Sequence, residues 1–412
     1  GIILRFGSWV GGDMDGNPNV TAETILATLA RQRTVIIKRY LPEVKSLSRY
    51  LSQSTSEVAV SDEVMQRLEE YSQRLPDVAR AIPERHLDMP YRCLLRMVSA
   101  RLEATLAGSA HAYQSADEFI ADIGLVRDSL ESNRGHNAGL FRVKRLLRRV
   151  HTFGFHLVTL DVRQDALLHR RVMGELLACD DWEERGAEKR AAVLAHLLEE
   201  GALPGVNSSG SLSDDARSTL DVFRAISSAR QMYGRSAIGL FITSMTQGAD
   251  DVLTVMALAE MASPHTGAPA QLDIAPLLET VDDLHAGPDI VASLLSHGIY
   301  REHLERMDRR QAGMEGYSDS NKDSGIVASR WALHESQRRL VAAGARHGID
   351  IVFFHGRGGT VSRGGGNLVN GILGAPPGTV KSFLRLTEQG EVINQKYGVR
   401  FLALRNLELV SG

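Results

Sequence analysis

The sequence predicts a helix-rich α/β protein built on a (β/α)8 TIM-like barrel, incomplete in this chain and accompanied by additional helices. Three observations predict it. The first third carries apolar residues at helical spacing. From about residue 156, short apolar or β-branched runs alternate with helical stretches, the pattern of parallel strands joined by helical crossovers. Polar side chains end or follow those runs, as they do on the active face of a barrel. Five or six strands are visible against the eight of a closed barrel. A doubly wound open sheet is the alternative, since periodicity does not report closure.

In chain order, residues 22–51, 63–75, 91–106 and 116–130 read as amphipathic helices, with Pro83 and Pro90 punctuating their boundaries. A basic helix follows: Arg142, Lys144, Arg145, Arg148 and Arg149 surround the stripe Val143, Leu146, Leu147 and Val150. It reads as a solvated face, and no nucleic-acid partner is expected. Strands are expected at 156–162, 237–244, 272–278 and 349–354, with helices at 250–261, 290–295 and 326–343. The strand before Gly316-Tyr317-Ser318-Asp319-Ser320-Asn321-Lys322-Asp323 is not legible. The organisation expected is a mainly helical segment over 1–150 and a partial barrel over 151–412, with a flexible excursion near 203–215.

Composition narrows the class. The chain has 412 residues, a net charge of −3, 43% hydrophobic and 24% charged residues and a pI near 6.6. These values are ordinary for a soluble globular protein and give no reason to expect a polyanionic partner. The two cysteines, Cys93 and Cys179, show neither disulfide nor zinc spacing and suggest a reducing, cytoplasmic setting. No apolar run reaches membrane-spanning length. The chain starts without methionine and is expected to be a piece of a longer polypeptide.

The densest chemistry lies in Phe353-Phe354-His355-Gly356-Arg357-Gly358-Gly359-Thr360-Val361-Ser362-Arg363-Gly364-Gly365-Gly366. Glycines let the backbone turn sharply and approach a ligand, and arginine meets phosphate or carboxylate with a bidentate fork. The loop matches neither G-x-x-x-x-G-K-[ST] nor G-x-G-x-x-G. It reads as a separate kind of anion site at a strand end. Asp13-Met14-Asp15-Gly16-Asn17 fails as a calcium loop, because glycine falls at the fourth place and Thr24 at the twelfth. A turn-rich structural segment is the better reading there, and Trp9 is expected to pack.

Residues 7–21 (GSWVGGDMDGNPNVT), Leu160-Asp161-Val162-Arg163-Gln164, the Gly316–Asp323 cluster, the His355 loop and Thr387-Glu388-Gln389-Gly390-Glu391 together resemble the phosphoenolpyruvate carboxylase family, in its order and from end to end of the chain. The resemblance implies a helix-rich barrel that joins bicarbonate to phosphoenolpyruvate, giving oxaloacetate and phosphate with Mg²⁺ or Mn²⁺. It implies Glu279 and Asp319 as metal ligands, Arg163 and Arg357 as substrate-binding residues, and His355, Arg357, Lys322 and Arg163 as catalytic. Arg363 resembles an arginine that contacts a dicarboxylate effector, and the family implies a homo-tetramer.

The match has departures. Met14, Ser362 and Asn367 stand where arginine, glycine and proline are usual. The family's upstream Thr-Ala-His-Pro motif and its downstream arginines are absent, so impaired turnover by this chain alone is expected. The alternative is a non-catalytic polypeptide that binds metal and a phosphorylated ligand. The motifs favour the first reading for the parent protein, and the missing segments favour the second for this chain alone. Two like charges ~4 Å apart repel by about 4 kcal/mol at an effective dielectric of ~20, so bringing two anionic reactants together calls for several cations.

Overall fold

Parallel pairing in chain order dominates the computed structural model, which describes residues 4–205, 212–263, 271–356, 372–381, 384–388 and 390–411. A seven-stranded sheet runs β1 (Gly7–Ser8), β2 (Thr159–Asp165), β3 (Ile238–Ser244), β4 (Asp273–Leu278), β5 (Arg310–Gly316), β6 (Asp350–Gly356) and β7 (Arg385–Leu386). Every registered pair from β2 to β7 is parallel. An incomplete (β/α)8 barrel is therefore the fold. The expected excursion near 203–215 falls partly on residues 206–211, outside the described residues.

Contacts divide the chain into two units: Gly1–Ser8, Leu26–Thr159 and Ser228–Ala237 in one, Trp9–Ile25, Leu160–Ser227 and Ile238–Gly412 in the other. The first is helical. It holds most of α1 (Ala22–Tyr50), then α2 (Asp62–Arg74), α3 (Pro76–Arg80), α4 (Pro90–Ala107), α5 (Ala116–Ser132) and α6 (Leu140–Phe153). Ile37, Tyr40, Val44, Leu47 and Leu51 recur every three or four residues. They meet Leu95, Val98 and Leu102 of α4, Ile123, Val126 and Leu130 of α5, and Val143, Leu147 and Val150 of α6 in one core. Pro90 sits in the first turn of α4, where no amide partner is lost, and Gly108 ends that helix at φ 66°. The basic face of α6 is engaged: Arg149 pairs with Glu43, Lys144 lies 2.6 Å from Glu131, and Arg142 covers the Tyr50 ring at 4.1 Å.

The second unit positions the site. Between its strands lie α7 (Ala166–Leu176), α8 (Ala187–Glu199), α9 (Asp214–Tyr233, its last turns in the first unit), α10 (Ala249–Ala262), α11 (Val281–Ser296), α12 (Gly298–Glu305), α13 (Ser318–Ser324) and α14 (Ile326–Arg346). Side chains alternate across a strand. Leu240, Ile242, Ala275, Leu277, Met314 and Phe354 build a core on one face, with Trp9 packed against it. On the other face Phe241 stacks on Phe223 of α9 at 5.0 Å. Helix α10 is buried nearly all round, from Val252 to Ala259. A four-charge knot ties its first turn to α7 and α8. Arg170 donates to Asp251 at 2.8 Å and Arg190 to Asp250 at 2.6 Å, with all four side chains buried.

Strand β5 is the one the sequence hid. Its Arg310, Gln311, Gly313 and Glu315 give no apolar run. The structure satisfies its buried Gln311 internally: Gln311 takes the Tyr300 hydroxyl at 2.7 Å and donates to the Ile274 carbonyl at 3.0 Å. The first expected strand, 156–162, is shifted to Thr159–Asp165. Leu157 just before it has a positive φ of 64°, a turn conformation incompatible with a strand.

Candidate functional site

The segment before α1 meets β2 where the strand ends. Asp13 bridges Arg163 in parallel fashion, and the Met14 amide donates to the Arg163 carbonyl at 2.9 Å. Close approach is possible because residue 12 is glycine: a Cβ there would lie 2.1 Å from the Asp161 carbonyl oxygen. The docking aims Arg163 at two carboxylates. Its Nε and Nη2 donate to Asp13 at 2.7 and 3.0 Å, and Nη1 lies 3.7 Å from Asp15. Burial alone would lower the Arg163 pKa; the hydrogen bond to Asp13 and the charges of Asp13, Asp15 and Glu279 outweigh it and hold the guanidinium more firmly protonated.

Glu279 follows β4. Asp283 accepts from its amide at 3.2 Å and from the Thr280 amide at 2.9 Å, while Thr280 Oγ1 accepts from the Asp283 amide at 3.1 Å. This capping box fixes the backbone from which the Glu279 side chain projects. Burial pushes the Glu279 carboxyl up from the usual carboxylate range. The Met245 amide and Arg163 oppose that shift, and the charges of Asp319 and Asp15 add to it.

Asp319 belongs to the first turn of α13, after β5. Lys322 one turn on donates to it at 2.9 Å, and Asp323 accepts from the Val281 amide at 3.3 Å, tying α13 to the start of α11. Gly316 at the end of β5 abuts the Glu279 backbone: a Cβ there would stand 3.0 Å from the Glu279 Cα.

Arg163, Glu279 and Asp319, far apart in sequence, thus share one electrostatic neighbourhood with Asp13 and Asp15. Lys322 joins it through Asp319. Spacing favoured a structural role for Asp13 and Asp15. Both are partners of Arg163, a relation across about 150 residues that local patterns do not carry.

His355 lies elsewhere. Met314 pairs with Phe354 and Glu315 with His355 across β5 and β6, so His355 and Glu315 share the sheet face opposite the apolar core. His355 Nδ1 is 2.8 Å from the Tyr317 hydroxyl and 3.8 Å from Glu315 Oε2. Gln337 of α14 donates to Glu315 Oε2 at 2.6 Å. Glu315 went unnoticed in the sequence; a glutamate just before a polar cluster at a strand end was its only signal. Asp161, noted at the end of the first run, accepts from the Leu240 amide at 2.9 Å and pairs with Arg385. Arg357 and Arg363 lie outside the described residues, as does Gln389; Glu388 pairs with Lys396.

Among the described residues no group of three or more His, Cys, Asp or Glu is arranged to hold a metal. Two carboxylates, from Glu279 and Asp319, still suit a hard cation that keeps water or substrate oxygens as its other ligands. The acids near Glu279 disfavour its ionisation, and a cation would relieve that. No helix among the described residues is long and apolar enough to cross a membrane.

Fold and site together define an incomplete (β/α)8-barrel protein whose strand ends gather carboxylates around a fixed arginine. Comparison narrows the class: the family model for phosphoenolpyruvate carboxylase matches residues 1–412, and the chain belongs to that family. It is 49% identical over 412 residues to the phosphoenolpyruvate carboxylase of Xanthomonas oryzae pathovar oryzae, covering 100% of this chain and 45% of that protein. It is 38% identical to the Rhodopseudomonas palustris protein of that name over 99% of this chain and 45% of the relative. The Roseiflexus castenholzii protein of that name is 35% identical, with the same two coverages. The chain therefore spans less than half the length of the curated relatives it matches.

Proposed function

We propose that this polypeptide carries the metal-binding and part of the substrate-binding machinery of a phosphoenolpyruvate carboxylase, which joins bicarbonate to phosphoenolpyruvate and yields oxaloacetate and phosphate. The observation that carries the proposal is one shared neighbourhood at the ends of β2, β4 and β5: Arg163 meets Asp13, Asp15 and Glu279, and Glu279 in turn meets Asp319.

Glu279 and Asp319 would hold Mg²⁺ or Mn²⁺, which supplies positive charge against the phosphate and enolate oxygens. Arg163, steadied by Asp13, offers its fork to the phosphate or carboxylate of phosphoenolpyruvate, and Arg357 takes a second anionic group. Lys322 exchanges Asp319 for substrate oxygen. By resemblance His355 is assigned bicarbonate and its proton, which it would meet from the sheet face opposite the Arg163 and Glu279 group. These cations stabilise charge that develops on the enolate and the transferring phosphoryl group. Arg363 would contact a dicarboxylate effector. A cytoplasmic homo-tetramer is the setting proposed for the whole protein.

Mn²⁺ binding to the 412-residue chain, followed by electron paramagnetic resonance with and without phosphoenolpyruvate, tests the proposal. Glu279→Gln and Asp319→Asn are each expected to weaken Mn²⁺ binding by about tenfold or more; Arg163→Met is expected to abolish the effect of phosphoenolpyruvate. Unchanged Mn²⁺ affinity in both carboxylate variants would refute the metal assignment. Oxaloacetate formation from phosphoenolpyruvate, bicarbonate and Mg²⁺ separates an active chain from one that only binds.

A further inference from the structure

We propose that Glu315 is the internal proton partner of His355: at rest the carboxyl group carries the proton, and it passes that proton to imidazole Nδ1 when His355 delivers one to its reactant. The inference rests on the carboxylation reading for the identity of that reactant, and on geometry for the pair itself. The Glu315 side chain has no solvent access. Its Oε2 accepts from Gln337 at 2.6 Å and lies 3.8 Å from His355 Nδ1, just beyond hydrogen-bond range. Its Oε1 has no hydrogen-bond partner among the described residues. A carboxylate in such a place would be an uncompensated buried charge, whereas a carboxylic acid is tolerated.

The surroundings agree. Tyr317, after β5, reaches His355 Nδ1 at 2.8 Å, and Arg330 of α14 lies over the Tyr317 ring at 5.3 Å. From β4 the registered neighbour of Glu315 is Leu278, which is apolar, and α14 presents the neutral Gln337. Burial is the largest influence and pushes the Glu315 carboxyl up to about 8, with the Gln337 bond opposing it.

The proton inventory balances. With the Tyr317 hydroxyl donating into Nδ1, the ring proton sits on Nε2. When Nε2–H is given up, the O–H bond of Glu315 breaks, an Nδ1–H bond forms and the Tyr317 hydroxyl rotates aside. The imidazole stays neutral, and Glu315 is left as a carboxylate that Gln337 steadies. The delivered proton goes to the departing phosphate, and the hydrogen that bicarbonate brings returns through Nε2, so the reverse transfer restores the pair in each cycle.

The test is nuclear magnetic resonance of the full chain, with ¹⁵N-histidine and ¹³C-carboxyl glutamate labels, titrated from acid to alkaline pH. Expected is a glutamate carboxyl step near pH 8 that His355 ring nitrogens follow. Both steps should be missing in Glu315→Gln. A carboxyl that titrates in the ordinary range, or His355 signals indifferent to the step, overturns the pairing. Should Glu315→Gln not fold, Gln337→Met serves: losing a donor to the ionised form should raise the shared step by roughly one pH unit, and an unmoved step overturns the pairing. A shared step that ignores added bicarbonate upholds the pair while removing the reactant assigned to His355.

Discussion

Replacing Glu315 by glutamine exchanges a titratable group for a neutral one of nearly the same shape in a place closed to solvent. Glu315 rises from an ordinary value of 4.5 in the open chain to about 8 in the fold. Between those values the unfolded chain releases a proton that the folded chain keeps, so ionisation stabilises only the unfolded state. The wild type is expected to match the variant in pH response below about pH 4.5, then lose stability relative to it by about 1.4 kcal/mol per pH unit up to about pH 8. At pH 7.5 the accumulated difference is about 4 kcal/mol. The glutamine amide gains no partner where Oε1 now stands, which adds a pH-independent cost, so the slope is the measurement. Urea denaturation of both proteins at pH 5, 6, 7 and 8 (roughly the window set by the linkage) gives it. Parallel stability curves would refute the buried, protonated carboxyl.

Arg190→Met should destabilise the chain by about 3–5 kcal/mol, because it leaves the buried Asp250 carboxyl beside Asp251 with only Arg170, 3.9 Å away, to oppose burial. Adding Asp250→Asn should restore much of the loss, as urea midpoints would show. Gly12→Ala should separate the Asp13 segment from β2, since its Cβ would meet the Asp161 carbonyl at 2.1 Å; weaker Mn²⁺-dependent binding of phosphoenolpyruvate by calorimetry is the expected result. Mn²⁺ affinity should fall as pH is lowered through the elevated Glu279 range, because protons and metal compete for that carboxyl. An affinity that does not change with pH would exclude Glu279 as a ligand.

Strands β3 and β4 were legible because both of their faces are covered, which leaves largely apolar runs such as residues 238–242. β5 was not, because Gln311 and Glu315 are buried with partners from other elements, and a buried polar side chain with a distant partner looks like a surface residue in sequence. Helix α11 was read only from residue 290, since Gly287 and Pro288 interrupt it; the Thr280–Asp283 capping box was the overlooked signal of its start. Arg163, Glu279, Asp319 and Lys322 were legible as residue types suited to an anionic substrate and a hard metal. Their companions Asp13 and Asp15 read as a turn-rich structural segment, and their pairing with Arg163 across about 150 residues leaves no periodic trace.

By itself, then, the chain's order of residues determined its helical and parallel-strand architecture and its family, since these follow from local periodicity and contiguous motifs. Tertiary structure alone decided which charges face one another. It fixed Arg163 on Asp13 within the field of Glu279, and it turned His355 away from that group toward Glu315. The reason is the two-residue alternation of a strand: the register between β5 and β6 sends Phe354 into the apolar core and its neighbour to the opposite face, a choice that depends on the partner strand.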